Sequence, residues 1–200
     1  GQPNPWQAIL FLLGAIVMRG AGCTLNDIAD VDFDTKVERT KNRPIASGRI
    51  SRKTAFLFLG AQALIGLIIL LQFNWYSVVL GAASLLIVAV YPFMKRITHW
   101  PQFVLGLAFN WGALIGWSAT HGSLSWSALL LYIGGIAWTI GYDTIYAHQD
   151  KEDDILIGVK STALLFGAKS KPWLSLFYGA ALIMFAFALW LVDAGLFSYL

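Results

Sequence analysis

Six apolar stretches of membrane-spanning length leave this chain few folds to adopt. They lie at about 6–25, 54–72, 75–94, 102–120, 125–146 and 173–192, and each meets the roughly 20 apolar residues that a helix needs to cross a bilayer. In hydrocarbon every backbone N–H and C=O must be satisfied within the protein, so such stretches span as helices. The expected fold class is all-α, a multi-pass transmembrane helical bundle of about six spans. Composition agrees, with 58% hydrophobic and 12% charged residues, where a soluble domain carries about 25% charged. The single cysteine, Cys23, excludes a disulfide framework or a thiolate metal cluster within the chain. The first residues lack a basic n-region and a cleavage site. The chain begins Gly1-Gln2-Pro3 and stops at Leu200 in an apolar context, so a fragment incomplete at both ends is expected. No low-complexity linker divides residues 1–200, and one transmembrane domain is expected.

The charges set the topology. Of the 14 Lys and Arg, 13 lie in three loops, at 26–53, 95–101 and 147–172, and the alternate connections near 73–74 and 121–124 hold none. With six spans those three loops share one side, which the positive-inside rule makes cytoplasmic. The net charge of +3 thus reflects membrane topology, and no nucleic-acid partner is expected. Ten of the 11 acidic residues fall on the same side, Asp193 being the exception. Trp75, Trp100, Trp126 and Trp173 fall near the ends of spans, where an interfacial aromatic belt is expected. Glycines within the spans, among them Gly14, Gly66, Gly81, Gly106, Gly112, Gly116, Gly134 and Gly135, suit close helix contacts in lipid.

Two acidic clusters carry the chemistry. In the first, Asn26, Asp30 and Asp34 are four residues apart, so they share one face if the preceding helix continues. Stacked carboxylates repel unless something positive sits among them. The candidate cation is Mg²⁺, a hard ion that takes oxygen ligands and shares them with a phosphorylated substrate. An EF-hand is excluded, because its sixth and twelfth places are Thr35 and Lys41 where Gly and Glu are required. In the second cluster, Asp143, Tyr146, Asp150 and Asp154 share a face if helical. Asp150 and Asp154 mirror Asp30 and Asp34, and two such pairs can hold two Mg²⁺ bridged by an anionic substrate. Asp143 lies about two turns deeper than Asp150. It can serve as a base, or simply make a buried hydrogen bond to a Tyr or Trp.

Basic residues complete the pattern. The run Arg39-Thr40-Lys41-Asn42-Arg43-Pro44 follows the first cluster, within reach of a diphosphate held there, and arginine forks match phosphate oxygens. Lys95 and Arg96 open another cytoplasmic loop and fit either substrate contact or topology. Arg19 lies inside an apolar helix about two turns before Asn26, and an intramembrane Arg usually faces the bundle interior and marks a site. His99, His121 and His148 share no metal-ligand spacing, and there is no P-loop or H-E-x-x-H.

These residues resemble the UbiA superfamily of intramembrane prenyltransferases. The motif N-D-x-x-D-x-x-x-D followed by R-T-x-x-R-P is met by Asn26, Asp27, Asp30, Asp34, Arg39, Thr40, Arg43 and Pro44. The motif Y-D-x-x-Y-A-x-x-D-x-x-D-D is met by Tyr142, Asp143, Tyr146, Ala147, Asp150, Asp153 and Asp154. The stretches 18–23, 95–102 and 157–162 resemble the 4-hydroxybenzoate branch in particular. The resemblance covers essentially the whole chain. It implies a nine-helix bundle around a central cavity, of which six spans are present here. It also implies two Mg²⁺ ions with Asn26, Asp30, Asp34, Asp150 and Asp154 as their ligands. Asp143 and Arg96 are then the expected catalytic residues, and Arg19, Arg43, Lys95 and Tyr146 the expected substrate contacts.

The implied activity is transfer of a polyprenyl group from polyprenyl diphosphate to the ring carbon ortho to the hydroxyl of 4-hydroxybenzoate, in ubiquinone synthesis. The partners are then those two substrates and membrane lipid, in a bacterial or mitochondrial inner membrane. Another aromatic acceptor within the family is the first alternative. A cation transporter is the second, and it predicts acids spread through membrane depth where this chain gathers them on one side.

Overall fold

The computed structural model describes residues 4–195, and these are helical with no strand among them. The expectations concerning the first three residues and Leu200 lie outside the described residues. Six helical segments are long and apolar enough to cross a membrane: Pro5–Asp34, Arg52–Leu70, Trp75–Ile97, Pro101–His121, Trp126–Ala147 and Thr162–Trp190. The all-α class and the six spans are as the hydropathy requires. The helices fall into two compact units, residues 1–78 and 79–200, which are described separately.

In the first unit, α1 (Pro5–Asp34) starts at Asn4, whose side chain accepts from Trp6 N–H, with Pro5 in the first turn. Both are favoured helix-start residues. The helix runs unbroken through the first acidic cluster, so Asn26, Asp30 and Asp34 do stand on one face. It packs against α2 (Arg52–Leu70), which Ser51 caps by accepting from Thr54 N–H. The helices approach where Gly66 faces Met18 and Gly20 faces Gln62. The turn-rich loop between them is pinned by Ile45, buried with Val31 and Ala55 against Ile28. Burying a side chain of that size stabilises by about 1.5–3 kcal/mol.

The second unit is built on the most buried helix, α7 (Trp126–Ala147). The third span comprises α3 (Trp75–Val90), a 3₁₀ turn at Tyr91–Phe93 and the short α4 (Met94–Ile97). The fourth is interrupted at Asn110, between α5 (Pro101–Phe109) and α6 (Trp111–His121). A short α8 (Lys151–Ile157) and α9 (Thr162–Phe166) follow α7 and lead into α10 (Ser170–Trp190). Leu114, Ala128, Tyr132, Ile136 and Ile140 form the core. Polar groups in this interior are paired, as an apolar medium demands: Tyr132 OH donates to Leu107 O at 2.9 Å, and Trp111 Nε1–H to Leu80 O at 2.9 Å.

Two expectations need correction. Trp75 and Trp126 are both 77% exposed at the starts of their helices, as belt residues should be. Trp173, in the first turn of α10, is also exposed while it stacks on Phe166 at 5.0 Å; Trp100 instead packs on the core and makes edge contacts with Phe166 and Phe177. The aromatic cluster at the end of its span takes the Trp100 ring into the protein interior. The expected continuous face Asp143–Tyr146–Asp150–Asp154 does not form either, because α7 stops at Ala147 and a new helix starts after Asp150.

Candidate functional site

The first cluster sits at the exit of α1. Asp30 is 1% and Asp34 6% exposed, while Asn26 and Asp27 are half-buried. Carboxylates so deeply placed require a positive partner, and the chain supplies one. Arg43 Nη1 donates to Asp27 Oδ1 at 2.9 Å and to Asp34 Oδ2 at 3.1 Å. The loop is shaped to bring it there: Thr40 is buried and its hydroxyl donates to Asp34 O at 3.1 Å, while Arg43 N–H donates to Thr40 O at 2.9 Å. Arg43, expected as a phosphate contact, is thus the cation among the stacked acids. Its side chain is a third exposed, and a guanidinium carries five N–H donors. Arg52 pairs with Asp32 at 2.9 Å, both exposed, and such a pair contributes little. Arg19 is exposed on α1, about two turns before Asn26.

In the second unit Asp143 is half-buried near the end of α7, and Tyr146 is 61% exposed. Asp150 and Asp154 lie across the break: Asp150 directly precedes α8 and Asp154 stands in its first turn with Glu152 and Asp153. The break has an electrostatic reason. The first turn of a new helix, with its unsatisfied N–H groups, favours the negative charge of Glu152, Asp153 and Asp154 there. The two backbones still stay close, since Asp154 N–H donates to Asp150 O at 2.8 Å. Arg96 is exposed and its Cζ lies 5.5 Å from the Phe93 ring centroid, and Lys95 is half-buried.

The stretches 95–102 and 157–162, far apart in sequence, meet. Lys160 N–H donates to Lys95 O at 2.8 Å, Lys160 Nζ to Ile97 O at 3.0 Å, and Thr162 N–H to Gln102 Oε1 at 3.1 Å. The residues Gln102, Lys160 and Thr162 were not expected to organise the site. The available signal was an amide side chain opening an apolar helix, which must be satisfied inside.

Among the described residues no three His, Cys, Asp or Glu side chains converge as a ready metal cage. The donor chemistry nevertheless fits Mg²⁺. Asn26, Asp30 and Asp34 offer amide and carboxylate oxygens at successive turns, and Asp150 and Asp154 offer two carboxylates. Mg²⁺ is commonly held by only one or two carboxylates, completed by water and substrate phosphates.

The sequence pattern of the UbiA prenyltransferase family matches residues 1–200. The chain belongs to the UbiA prenyltransferase family. This UbiA family member is 63% identical over 174 residues to a protein of Aedes aegypti named "4-hydroxybenzoate polyprenyltransferase, mitochondrial", a match covering 86% of the chain and 40% of that protein. It is 60% identical over 181 residues to the Homo sapiens protein of the same name, covering 90% and 49%. The chain therefore spans about half the length of these relatives. Among solved structures, a UbiA homolog from Aeropyrum pernix K1 superposes with a TM-score of 0.85 at 27% identity, over 98% of this chain and 75% of that one. A UbiA homolog from Archaeoglobus fulgidus, bound to GPP and Mg²⁺, superposes with a TM-score of 0.77 at 20% identity, over 96% and 69%. The latter likeness is one of fold.

Proposed function

We propose that this UbiA family member transfers a polyprenyl group from polyprenyl diphosphate to the ring carbon of 4-hydroxybenzoate ortho to its hydroxyl, for ubiquinone synthesis in the mitochondrial inner membrane. The observation that carries the reading is the 60–63% identity to proteins of that name. The two acidic motifs support it with groups of the right chemistry, in what we take to be one catalytic domain.

Asn26, Asp30, Asp34, Asp150 and Asp154 are the proposed Mg²⁺ ligands. When bound, the two ions would neutralise the leaving diphosphate. Further N–H groups of Arg43 bind diphosphate oxygens, and Arg19, Lys95 and Arg96 supply further positive charge to the diphosphate or the acceptor carboxylate. In the reaction the allylic C–O bond breaks and its electron pair leaves with the diphosphate. The ring carbon attacks the allylic cation to form the new C–C bond, and the ring proton departs. Asp143 accepts that proton or the phenolic one, and its partial burial keeps it out of bulk water. Tyr146, about one turn beyond Asp143 on α7, offers an aromatic face to the prenyl chain or cation. Membrane lipid holds the rest of the prenyl chain.

The test uses membranes containing the full-length protein, labelled polyprenyl diphosphate and 4-hydroxybenzoate, with Mg²⁺, with chelator, and with Asp150→Ala. Loss of product under both perturbations is expected. Diphosphate release without prenylated 4-hydroxybenzoate would move the acceptor to another aromatic compound. No turnover of any prenyl diphosphate would overturn the enzyme reading.

A further inference from the structure

Helix α4 spans Met94–Ile97 and carries both Lys95 and Arg96. A helix leaves its last four C=O groups without an intrahelical partner, so one as short as this needs its carbonyl end satisfied from outside. Thr98 N–H donates to Met94 O at 2.9 Å. Lys160, in the segment between α8 and α9, then serves two more carbonyls. Its N–H donates to Lys95 O at 2.8 Å and its Nζ to Ile97 O at 3.0 Å. An ammonium suits that place, because the carbonyl end of a helix carries partial negative charge. One residue thus caps α4 twice, through its main chain and its side chain.

Lys160 is itself held from both directions. Gly158 ends α8 in the left-handed region, at φ 74°, and its N–H donates to Asp154 O. Val159 N–H donates to the same oxygen at 2.9 Å. Val159, Ser161 and Thr162 are buried. Ser161 starts α9 by accepting from Leu164 N–H at 3.3 Å, and Thr162 N–H donates to Gln102 Oε1 at 3.1 Å. The backbone on either side of Lys160 is therefore fixed, while its own side chain is part-exposed. At one end this segment bonds to Asp154, in the second acidic cluster. At the other it bonds to the turn that bears Lys95 and Arg96.

We propose that Lys160 is a positioning residue, which by capping α4 holds Lys95 and Arg96 where their charges meet the diphosphate gathered at Asp150 and Asp154. This rests on the proposed roles of those four residues, and it commits the basic pair to the diphosphate rather than to the acceptor carboxylate. Long charged side chains on a loose turn lose freedom each time a ligand binds, and a turn fixed in advance spares part of that cost. Lys160 spends one ammonium donor on Ile97 O and touches no substrate in this role.

Lys160→Met keeps the main-chain bond to Lys95 O and removes the side-chain cap on Ile97 O. In the full-length protein in membranes it is expected to raise KM for polyprenyl diphosphate about 3- to 10-fold, with kcat and KM for 4-hydroxybenzoate within about twofold. Lys160→Arg, which restores charge and donors, should recover most of that loss. Amide hydrogen exchange reads the positioning without substrate: peptides covering 94–98 should exchange faster in Lys160→Met, and peptides within α7 should not change. A cycle with Lys95→Met/Arg96→Met separates positioning from direct contact. If Lys160 acts through the pair, its loss costs little further in that background. An unchanged KM for polyprenyl diphosphate in Lys160→Met overturns the proposal, as do unaltered exchange at 94–98 or losses that multiply in the cycle. A rise in KM for 4-hydroxybenzoate alone overturns the commitment of the pair to the diphosphate. Should Lys160→Met not accumulate, Lys160→Gln, whose amide falls a bond short of Ile97 O, is expected to show the same rise and the same faster exchange. No turnover of any prenyl diphosphate by the unsubstituted protein would sink the enzyme reading itself, an outcome distinct from failure of the cap.

Discussion

Arg43 shows how one residue answers two demands. It holds Asp27 and Asp34 at 2.9 and 3.1 Å, and so sets a positive charge against the acidic face while remaining available to an anionic substrate. Arg43→Ala leaves the nearly buried Asp34 carboxylate short of a partner, at a cost of about 1–3 kcal/mol, visible as a lower thermal midpoint of the detergent-solubilised protein. Millimolar Mg²⁺ should restore part of that loss, because the ion would take over the same carboxylates. A midpoint indifferent to Mg²⁺ would argue against these residues as metal ligands. Asp143 makes a second prediction at this scale. Asp143→Asn keeps size and polarity but cannot take a proton, so product formation should fall about 100-fold or more while binding of polyprenyl diphosphate is retained. Equal loss of binding would assign Asp143 to the diphosphate site instead.

At the scale of elements, the α5–α7 seam depends on residues chosen for smallness. A Cβ on Gly106 would lie 3.2 Å from Ile136 Cα and 3.3 Å from its carbonyl oxygen. Backbone cannot swing aside, so Gly106→Ala should destabilise by about 1–3 kcal/mol. A Cβ on Gly112, in the same span, meets nothing within 4 Å, and Gly112→Ala should be neutral or mildly stabilising through helix propensity. Thermal melts of the two variants, side by side, test this. Both glycines looked alike in sequence, since hydropathy reports that a helix is in lipid and not which face meets another helix. The break after Ala147 was hidden for a related reason: the spacing Tyr146, Asp150, Asp154 is equally compatible with one continuous helix. A helix start at 151 puts Glu152, Asp153 and Asp154 in a first turn, where the helix dipole favours negative charge. By contrast the continuation of α1 through Asp34 could be anticipated, because its apolar run carries no Gly–Pro break before the acidic positions.

At the scale of the whole molecule, the spans were legible because the bilayer punishes unsatisfied backbone so heavily that length and hydropathy decide. The candidate acids were legible because carboxylates clustered at spans are rare without a use. The meeting of 95–102 with 157–162 was not, since no periodicity links segments some sixty residues apart; only their resemblance to one branch marked both. The topology gives a further prediction, made within each unit. Positive-inside charge puts the loops around Ser47, His99 and Gln149 on the basic side and the connections at Gln72 and Ser123 on the other. With Cys23, itself exposed, replaced by Ser, single cysteines at Gln149 and Ser123 should react with a membrane-impermeant thiol reagent from opposite faces of sealed vesicles, and so should those at Ser47 and Gln72. The pair flanking α7 is the sharper test, because α7 carries Asp143. If Gln149→Cys and Ser123→Cys labelled from the same face, α7 would not cross the bilayer. Asp143 would then lie at an ordinary aqueous surface, where the desolvated chemistry assigned to it has no physical basis.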